Sequence, residues 1–226
     1  MLIEKRKLRN WLLVILGMIL ILYGSINLFD FIPIPGLVDL ASDHAVDQEG
    51  FAPVFLPVPD DTTAIDQGSH TSPEYIPDRI VIEEIELDAP IVIADSVRSI
   101  IDGQEVVQFL VPEKFAAGWH ENSAPLGEIG NTVINGHHNA FGKVFERLVD
   151  LKSGSELLLK SGNRDFYYTV TNKFILPEKD QPLDVRLDNG RWILPSNDER
   201  ITLLTCWPKR SNSHRLIIVA VPTLSE

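Results

Sequence analysis

Hydrophobic residues are distributed differently in two parts of the chain. One continuous apolar run, Trp11–Leu28, is followed by a polar stretch, and from about residue 78 short apolar runs alternate with Gly, Asn and Pro clusters. Short runs rich in Val, Ile, Tyr and Leu between such clusters are typical of strands. The predicted strands are Arg79–Ile82, Ala89–Ile93, Val106–Leu110, Thr132–Asn135, Glu156–Lys160, Phe166–Phe174, Ile201–Thr205 and Arg215–Val221.

The segment Phe141–Asp150 has a different period. Its apolar residues recur at spacings of three and four, which predicts one face of a short amphipathic helix; they are Phe141, Val144, Phe145, Leu148 and Val149. Many short strands with one or two short helices favour a mostly β fold, a closed or nearly closed β-barrel.

The apolar run Trp11–Leu28 follows a basic start at residues 1–10. Eighteen helical residues rise about 27 Å, close to the hydrocarbon thickness of about 30 Å, so we predict a transmembrane anchor over residues 11–29. The positive-inside rule places the N-terminus in the cytoplasm and the rest of the chain outside the cell membrane. A cleaved signal peptide is the alternative, because the most apolar part, Trp11–Tyr23, also has the length of a signal-peptide core.

Residues 30–77 form an acidic, Pro-rich segment, and no Lys or Arg occurs from residue 10 to residue 77. This composition predicts an extended linker; a lid over a binding groove is the alternative. Residues 78–226 are then the folded domain, for which the 44% hydrophobic content of the 226-residue chain is ample. The formal net charge of −12 argues against a nucleic-acid partner.

Cys206 is the single cysteine, so no internal disulfide and no multi-Cys metal site can form. It follows the run Ile201–Thr205 and precedes Pro208 by two residues. Because Pro cannot continue a central strand, the thiol should lie at a strand end, where an exposed nucleophile would be placed. A buried structural thiol is the alternative, since free Cys is often a small core residue.

Two further residues sit at predicted strand ends. His137 follows Thr132–Asn135, and Arg215 opens the last strand. A histidine can hold or shuttle a proton near neutral pH, and an arginine can stabilise an oxyanion. Taken singly, each is better explained as a structural residue, His137 as a hydrogen-bonded loop histidine and Arg215 as an ion-paired surface arginine. Neighbouring side chains on a strand point to opposite faces, so His137 and His138 are a poor chelate, and we expect neither a metal nor a cofactor.

These positions give the chain its resemblance to the sortases, membrane-anchored cysteine transpeptidases of bacterial surfaces. The resemblance covers roughly residues 76–221. Its motifs are Asn131-Thr-Val-Ile-Asn-Gly-His137, Leu203-Leu-Thr-Cys206 and His214-Arg215-Leu-Ile-Ile-Val, with further similarity at 76–82, 87–92, 118–120 and 125–131. It implies an eight-stranded sortase-like β-barrel.

The resemblance also implies a chemistry. Cys206 would attack a carbonyl in a C-terminal, LPxTG-like sorting motif of a secreted protein, and an amine from cell-wall precursor or a pilin would resolve the thioester. His137 would be the general acid and then the base, Arg215 would stabilise the oxyanion or orient the substrate, and Thr205 would help to shape the site. The alternatives are a hydrolytic cysteine protease of the same fold and a catalytically silent, membrane-anchored peptide-binding barrel.

Subclass features favour a single-anchor enzyme. The sequence shows no second apolar span after Val221, and the acidic segment has no Asp-Pro-aromatic element, whereas many pilin-polymerising sortases carry both. The spacing of the acidic residues matches no calcium-loop motif. The sorting motif and the acceptor amine stay open at this point.

Overall fold

The computed structural model describes residues 75–223. The predicted anchor at 11–29 and the predicted linker, except for its last three residues, lie outside this range. Within residues 75–223, no helix combines the length and the apolar character needed to cross a membrane.

The described residues form ten strands, one short α-helix and three single-turn 3-10 helices. The 3-10 helices are Glu83–Ile85, Leu148–Asp150 and Arg191–Ile193, and the α-helix is α1 (Leu183–Gly190). The strands are β1 (Arg79–Ile82), β2 (Leu87–Ala94), β3 (Ser96–Ile101), β4 (Gln104–Phe109), β5 (Ala117–His120), β6 (Gly130–Asn135), β7 (Glu156–Ser161), β8 (Arg164–Pro177), β9 (Glu199–Trp207) and β10 (His214–Pro222).

Eight of these strands close into a barrel in the order β1-β2-β5-β6-β9-β10-β8-β7. The pairs β2–β5 and β6–β9 are parallel, and the other neighbours are antiparallel. The predicted eight-stranded barrel is therefore confirmed, although not every predicted strand belongs to it. The run Val106–Leu110 contributes to β4, which pairs only with β3 in a separate hairpin. Its place in the barrel is taken by β5, whose four residues carry no β-branched side chain.

Side chains alternate between the barrel interior and its outer face, as the pleat of a strand requires. On β9, Ile201 and Leu203 belong to the interior core, whereas Leu204 belongs to a second buried cluster. That cluster also contains Val133, Ile217 and Val219 and is covered by side chains such as Trp192 and Ile193. By this alternation Cys206 lies on the outer face, in line with Leu204.

The helix predicted for Phe141–Asp150 is wrong. Only Leu148–Asp150 is helical, as a single 3-10 turn. Phe141, Gly142 and Lys143 have φ values of 45°, 88° and 57°, and this left-handed backbone cannot start an α-helix. Val144, Phe145 and Leu148 are buried nonetheless. The apolar spacing therefore reflected burial in a series of turns.

The segment between β8 and β9 carries α1 and lies over the outer face. A buried cluster holds its start, where Glu178 accepts hydrogen bonds from Arg186 Nε at 3.0 Å and Asn189 Nδ2 at 2.9 Å. Its end is held by Asn131 on β6, whose Nδ2 donates to the carbonyls of Trp192 at 2.9 Å and Leu194 at 3.0 Å. The segment between β8 and β9 is thus held at both ends over the outer face of β6 and β9.

Candidate active site

Cys206 and Arg215 are directly opposed on the antiparallel strands β9 and β10. The guanidinium Nη1 of Arg215 lies 3.5 Å from Cys206 Sγ. Cys206 is half-buried, whereas Arg215 is only 2% exposed. The strand register therefore places a buried cation next to a partly accessible thiol.

Arg215 is held by backbone carbonyls instead of a carboxylate. Its Nη1 donates to the carbonyl oxygens of His214 at 3.3 Å and Asn212 at 3.5 Å. Its Nη2 is buried and has no hydrogen-bond partner within residues 75–223. Buried polar groups are nearly always paired, so an unpaired donor on the guanidinium that contacts the thiol is a candidate for a hydrogen bond to a substrate oxygen.

His137 lies two residues beyond the end of β6. The parallel register pairs Asn135 with Leu204. Two contacts extend this alignment past the strand: Gly136 N–H donates to Leu204 O at 3.2 Å, and Thr205 Oγ1 donates to Gly136 O at 2.6 Å. Since His137 is two residues after Asn135 and Cys206 is two after Leu204, the register brings the imidazole-bearing residue level with the thiol.

Gly136 and the turns that follow it hold His137 in place. A Cβ on Gly136 would lie 2.5 Å from Cδ2 of Phe145, so only glycine fits there. Phe145 N–H donates to His137 O at 2.9 Å. The His137 ring lies 4.9 Å from that of Phe141, and the residue is 8% exposed. The buried turns therefore support the histidine although they do not form a helix.

His138 occupies a different environment. Its ring meets Trp207 edge-on with centroids 5.1 Å apart, and its Nδ1 lies 3.5 Å from Phe145 O. Burial lowers the pKa of His138 below its ordinary value, against the opposing effect of Glu146. A neutral, packed imidazole next to Trp207 supports the structure of the loop.

Both histidines lie beyond the end of β6, and no group of three or more His, Cys, Asp or Glu within residues 75–223 could hold a metal ion.

Two side chains to which the sequence pattern assigned no role complete this end of the barrel. Asn139 Nδ2 donates to Lys209 O at 2.7 Å and to Asn212 Oδ1 at 3.1 Å, so it ties the histidine loop to the β9–β10 loop. Asn135, on the outer face, donates from Nδ2 to Leu110 O at 3.2 Å. Its Oδ1 is buried without a hydrogen-bond partner among the described residues.

The family comparison identifies the class of protein. A family model described as Sortase domain matches residues 80–223, which includes all of the barrel except the first residue of β1. The chain therefore belongs to the sortase family, a family of cysteine transpeptidases.

Individual relatives are more distant. The Bacillus subtilis (strain 168) protein named "Putative sortase YwpE" is 29% identical over 94 residues, covering 41% of this chain and 82% of that protein. Sortase C-1 from Actinomyces oris has a TM-score of 0.50 at 20% identity, over 65% of this chain and 73% of its own. Sortase C1 from Streptococcus agalactiae has a TM-score of 0.50 at 20% identity, over 72% of each chain. At these identities the solved structures are similar in fold alone.

Proposed function

We propose that this protein is a cysteine transpeptidase that cleaves a C-terminal, LPxTG-like sorting motif of secreted proteins and transfers them to an amine. The observation that supports this best is the pairing of Cys206 with buried Arg215, whose Nη1 is 3.5 Å from Sγ and whose Nη2 has no hydrogen-bond partner among the described residues. A nucleophile with a fixed donor beside it is the arrangement that acyl transfer requires.

In the first half of the reaction, the Cys206 thiolate attacks the carbonyl carbon of the scissile peptide bond. The carbonyl oxygen becomes an oxyanion, towards which Arg215 donates hydrogen bonds. The C–N bond then breaks, His137 gives its proton to the departing amine, and a thioester to Cys206 remains.

In the second half, the acceptor amine attacks the thioester carbonyl. His137 takes a proton from that amine, the C–S bond breaks, and the Cys206 thiolate is regenerated. Thr205 acts through structure in both halves, because its hydroxyl holds the Gly136 carbonyl next to His137. Each acid–base step returns the proton that the previous one used.

The cellular setting follows from the sequence. Residues 11–29 anchor the protein in the cell membrane with its N-terminus in the cytoplasm, and residues 30–77 link the anchor to the extracytoplasmic barrel. The partners are secreted proteins with the sorting motif and an amine of cell-wall precursor or a pilin.

The test is an amine-transfer assay on the full chain in detergent. Motif peptides are incubated with and without an excess of triglycine or a lysine derivative, and products are separated by mass. Transpeptidation predicts a ligated peptide that increases with amine concentration. Cleavage without ligation at any amine concentration would identify a hydrolytic protease instead, and binding without cleavage would identify a silent peptide-binding barrel.

A further inference from the structure

The outer face that carries Cys206 continues along β6 and β9 away from the strand ends. The parallel register pairs Asn131 with Arg200, which precedes Cys206 by six residues. At about 3.3 Å per residue, the Asn131 level lies about 20 Å from the thiol along the strands. His120 on β5 is nearer: Gly118 pairs with Asn135, so His120 lies level with Val133, about 13 Å from the thiol.

A pocket of about 330 Å³ opens on this face between those two levels. One wall comes from β4 and β5, and the other from the chain that follows the 3-10 helix Arg191–Ile193. Two of its apolar side chains are exposed to water, Ile129 at 78% and Leu194 at 40%. Its lining is mainly apolar and includes Phe109, His120, Ile129, Ile193, Leu194 and Pro195.

His120 is the unusual member of this lining. It is only 3% exposed and stacks on Phe109 with ring centroids 3.9 Å apart and planes inclined by 17°. Its Nε2 is buried and lacks a hydrogen-bond partner within residues 75–223. Burial lowers the pKa of His120 to about 3, so the ring is neutral in ordinary conditions. A neutral, unpartnered ring nitrogen in a pocket wall is what a bound polar group would satisfy.

We propose that this pocket binds an apolar side chain of the substrate at the fifth or sixth residue before the scissile bond, with His120 as hydrogen-bond partner of the bound segment. The reacting carbonyl belongs to the first residue before the scissile bond, so in an extended peptide the fifth and sixth residues lie about 13 and 17 Å from Cys206 along the strands, within the span of the pocket. This inference rests on the proposed function and extends recognition beyond a four-residue motif.

The occupant is the retained half of the substrate. That half stays covalently attached to Cys206 until the acceptor amine arrives, so contacts to it hold the thioester in position for the second step. Contacts to the departing half would instead slow its release.

The first test measures binding to the full-length Cys206→Ala protein in detergent. The three peptides share one motif: a long peptide with Leu at the fifth and sixth positions, the same peptide with Asp there, and an acetylated peptide that ends at the fourth residue. We expect the long Leu peptide to bind about fivefold or more tightly than the other two, because apolar surface leaves water. Equal dissociation constants for the three would overturn the proposal.

Variants localise the effect. Ile129→Ser should lose most of that affinity difference, whereas the control Ile100→Ser should keep it, since Ile129 and Ile100 are 78% and 76% exposed and only the former lines the pocket. His120→Phe keeps an aromatic ring on Phe109 and removes the nitrogens. It should weaken binding of the long Leu peptide about threefold or more and leave that of the four-residue peptide unchanged; a purely structural His120 would change neither.

Acylation of the wild-type protein by the same peptides separates the two proposals. A preference for the long peptide in binding, with no acyl-enzyme from any peptide, would overturn the transpeptidase function and leave the pocket. Acyl-enzyme formation without any length preference in binding would overturn the pocket and leave the function.

Discussion

Arg215 faces Cys206 across the β9–β10 strand pair, with Nη1 3.5 Å from Sγ. The pairing is built into the register of two adjacent strands, so it needs no mobile loop to form. Because Arg215 is 2% exposed, the interaction of its charge with the site is weakly screened by water. The guanidinium is therefore a buried group next to the thiol and not a surface cation, and the proposed reaction uses it there.

Replacing Arg215 by Lys tests whether catalysis needs the several N–H donors of the guanidinium or only its positive charge. Arg215→Lys keeps a cation but removes Nη2, the unpaired donor of the guanidinium. We expect kcat/KM for peptide cleavage to fall by about 10²–10³. The matched control is Arg210→Lys on the exposed β9–β10 loop, which should stay within about twofold of wild type. Steady-state cleavage of a fluorogenic motif peptide gives both values.

The two neighbouring histidines should respond differently to replacement. His137→Ala should abolish turnover with little change in thermal stability, because it removes the proton donor and acceptor. His138→Ala should lower the unfolding temperature, since it leaves a cavity beside Trp207, and should keep measurable turnover. Cleavage rates and melting temperatures of both variants check this; activity in His137→Ala and none in His138→Ala would reverse the assignment.

Glu178 offers a stability prediction outside the reaction centre. Glu178→Gln leaves the Arg186 guanidinium buried without its counter-charge, and we expect a loss of about 3–5 kcal/mol in the free energy of unfolding. The control is Asp188→Asn, which breaks the exposed pair with Arg191 at 2.9 Å and should cost less than about 1 kcal/mol. Urea denaturation followed by tryptophan fluorescence measures both.

The buried neutral ring of His120 predicts a pH dependence of stability. Its folded pKa is lowered to about 3, whereas the unfolded chain has the ordinary value near 6.5. Its contribution is therefore fully present above about pH 6.5 and is lost as pH falls towards 3, by at most about 1.4 kcal/mol per pH unit.

His120→Phe removes this contribution. Between pH 7 and pH 4.5 its unfolding free energy should fall by about 2.5 kcal/mol less than that of the wild type. The lowered pKa of His138 acts in the same direction in both proteins and cancels in the difference. Parallel stability curves from urea denaturation would show that His120 becomes protonated in the folded state.

The barrel strands that were predicted from the sequence are those whose own residues favour a strand. Runs of Val, Ile and Leu led to β1, β6, β9 and β10, and Pro208 correctly ended β9 at Trp207. β5 was missed because Ala117–His120 has little strand propensity and is held only by its neighbours. The false helix at Phe141–Asp150 arose because spacing reports burial, while the left-handed backbone at its start is invisible in the pattern.

The candidate site was predictable only in part. Cys206, His137 and Arg215 carry reactive groups at strand ends, so their chemistry made them visible in the sequence. Asn139 was missed because its hydrogen-bond partners Lys209 and Asn212 are 70 and 73 positions away along the chain. A local sequence pattern cannot show such a contact. That Nη2 of Arg215 is buried without a hydrogen-bond partner among the described residues likewise becomes evident only when the packing around it is known.

The most direct test of the central claim is the intact mass of the full-length protein after mixing with a panel of LPxTG-like peptides in the absence of an amine. We predict a mass increase equal to the N-terminal peptide fragment, located at Cys206 by digestion, absent in Cys206→Ala and strongly reduced in Arg215→Lys. A variant Cys206→Ala that still releases the C-terminal fragment at the wild-type rate would contradict the account, because the peptide bond would then break without the thiol.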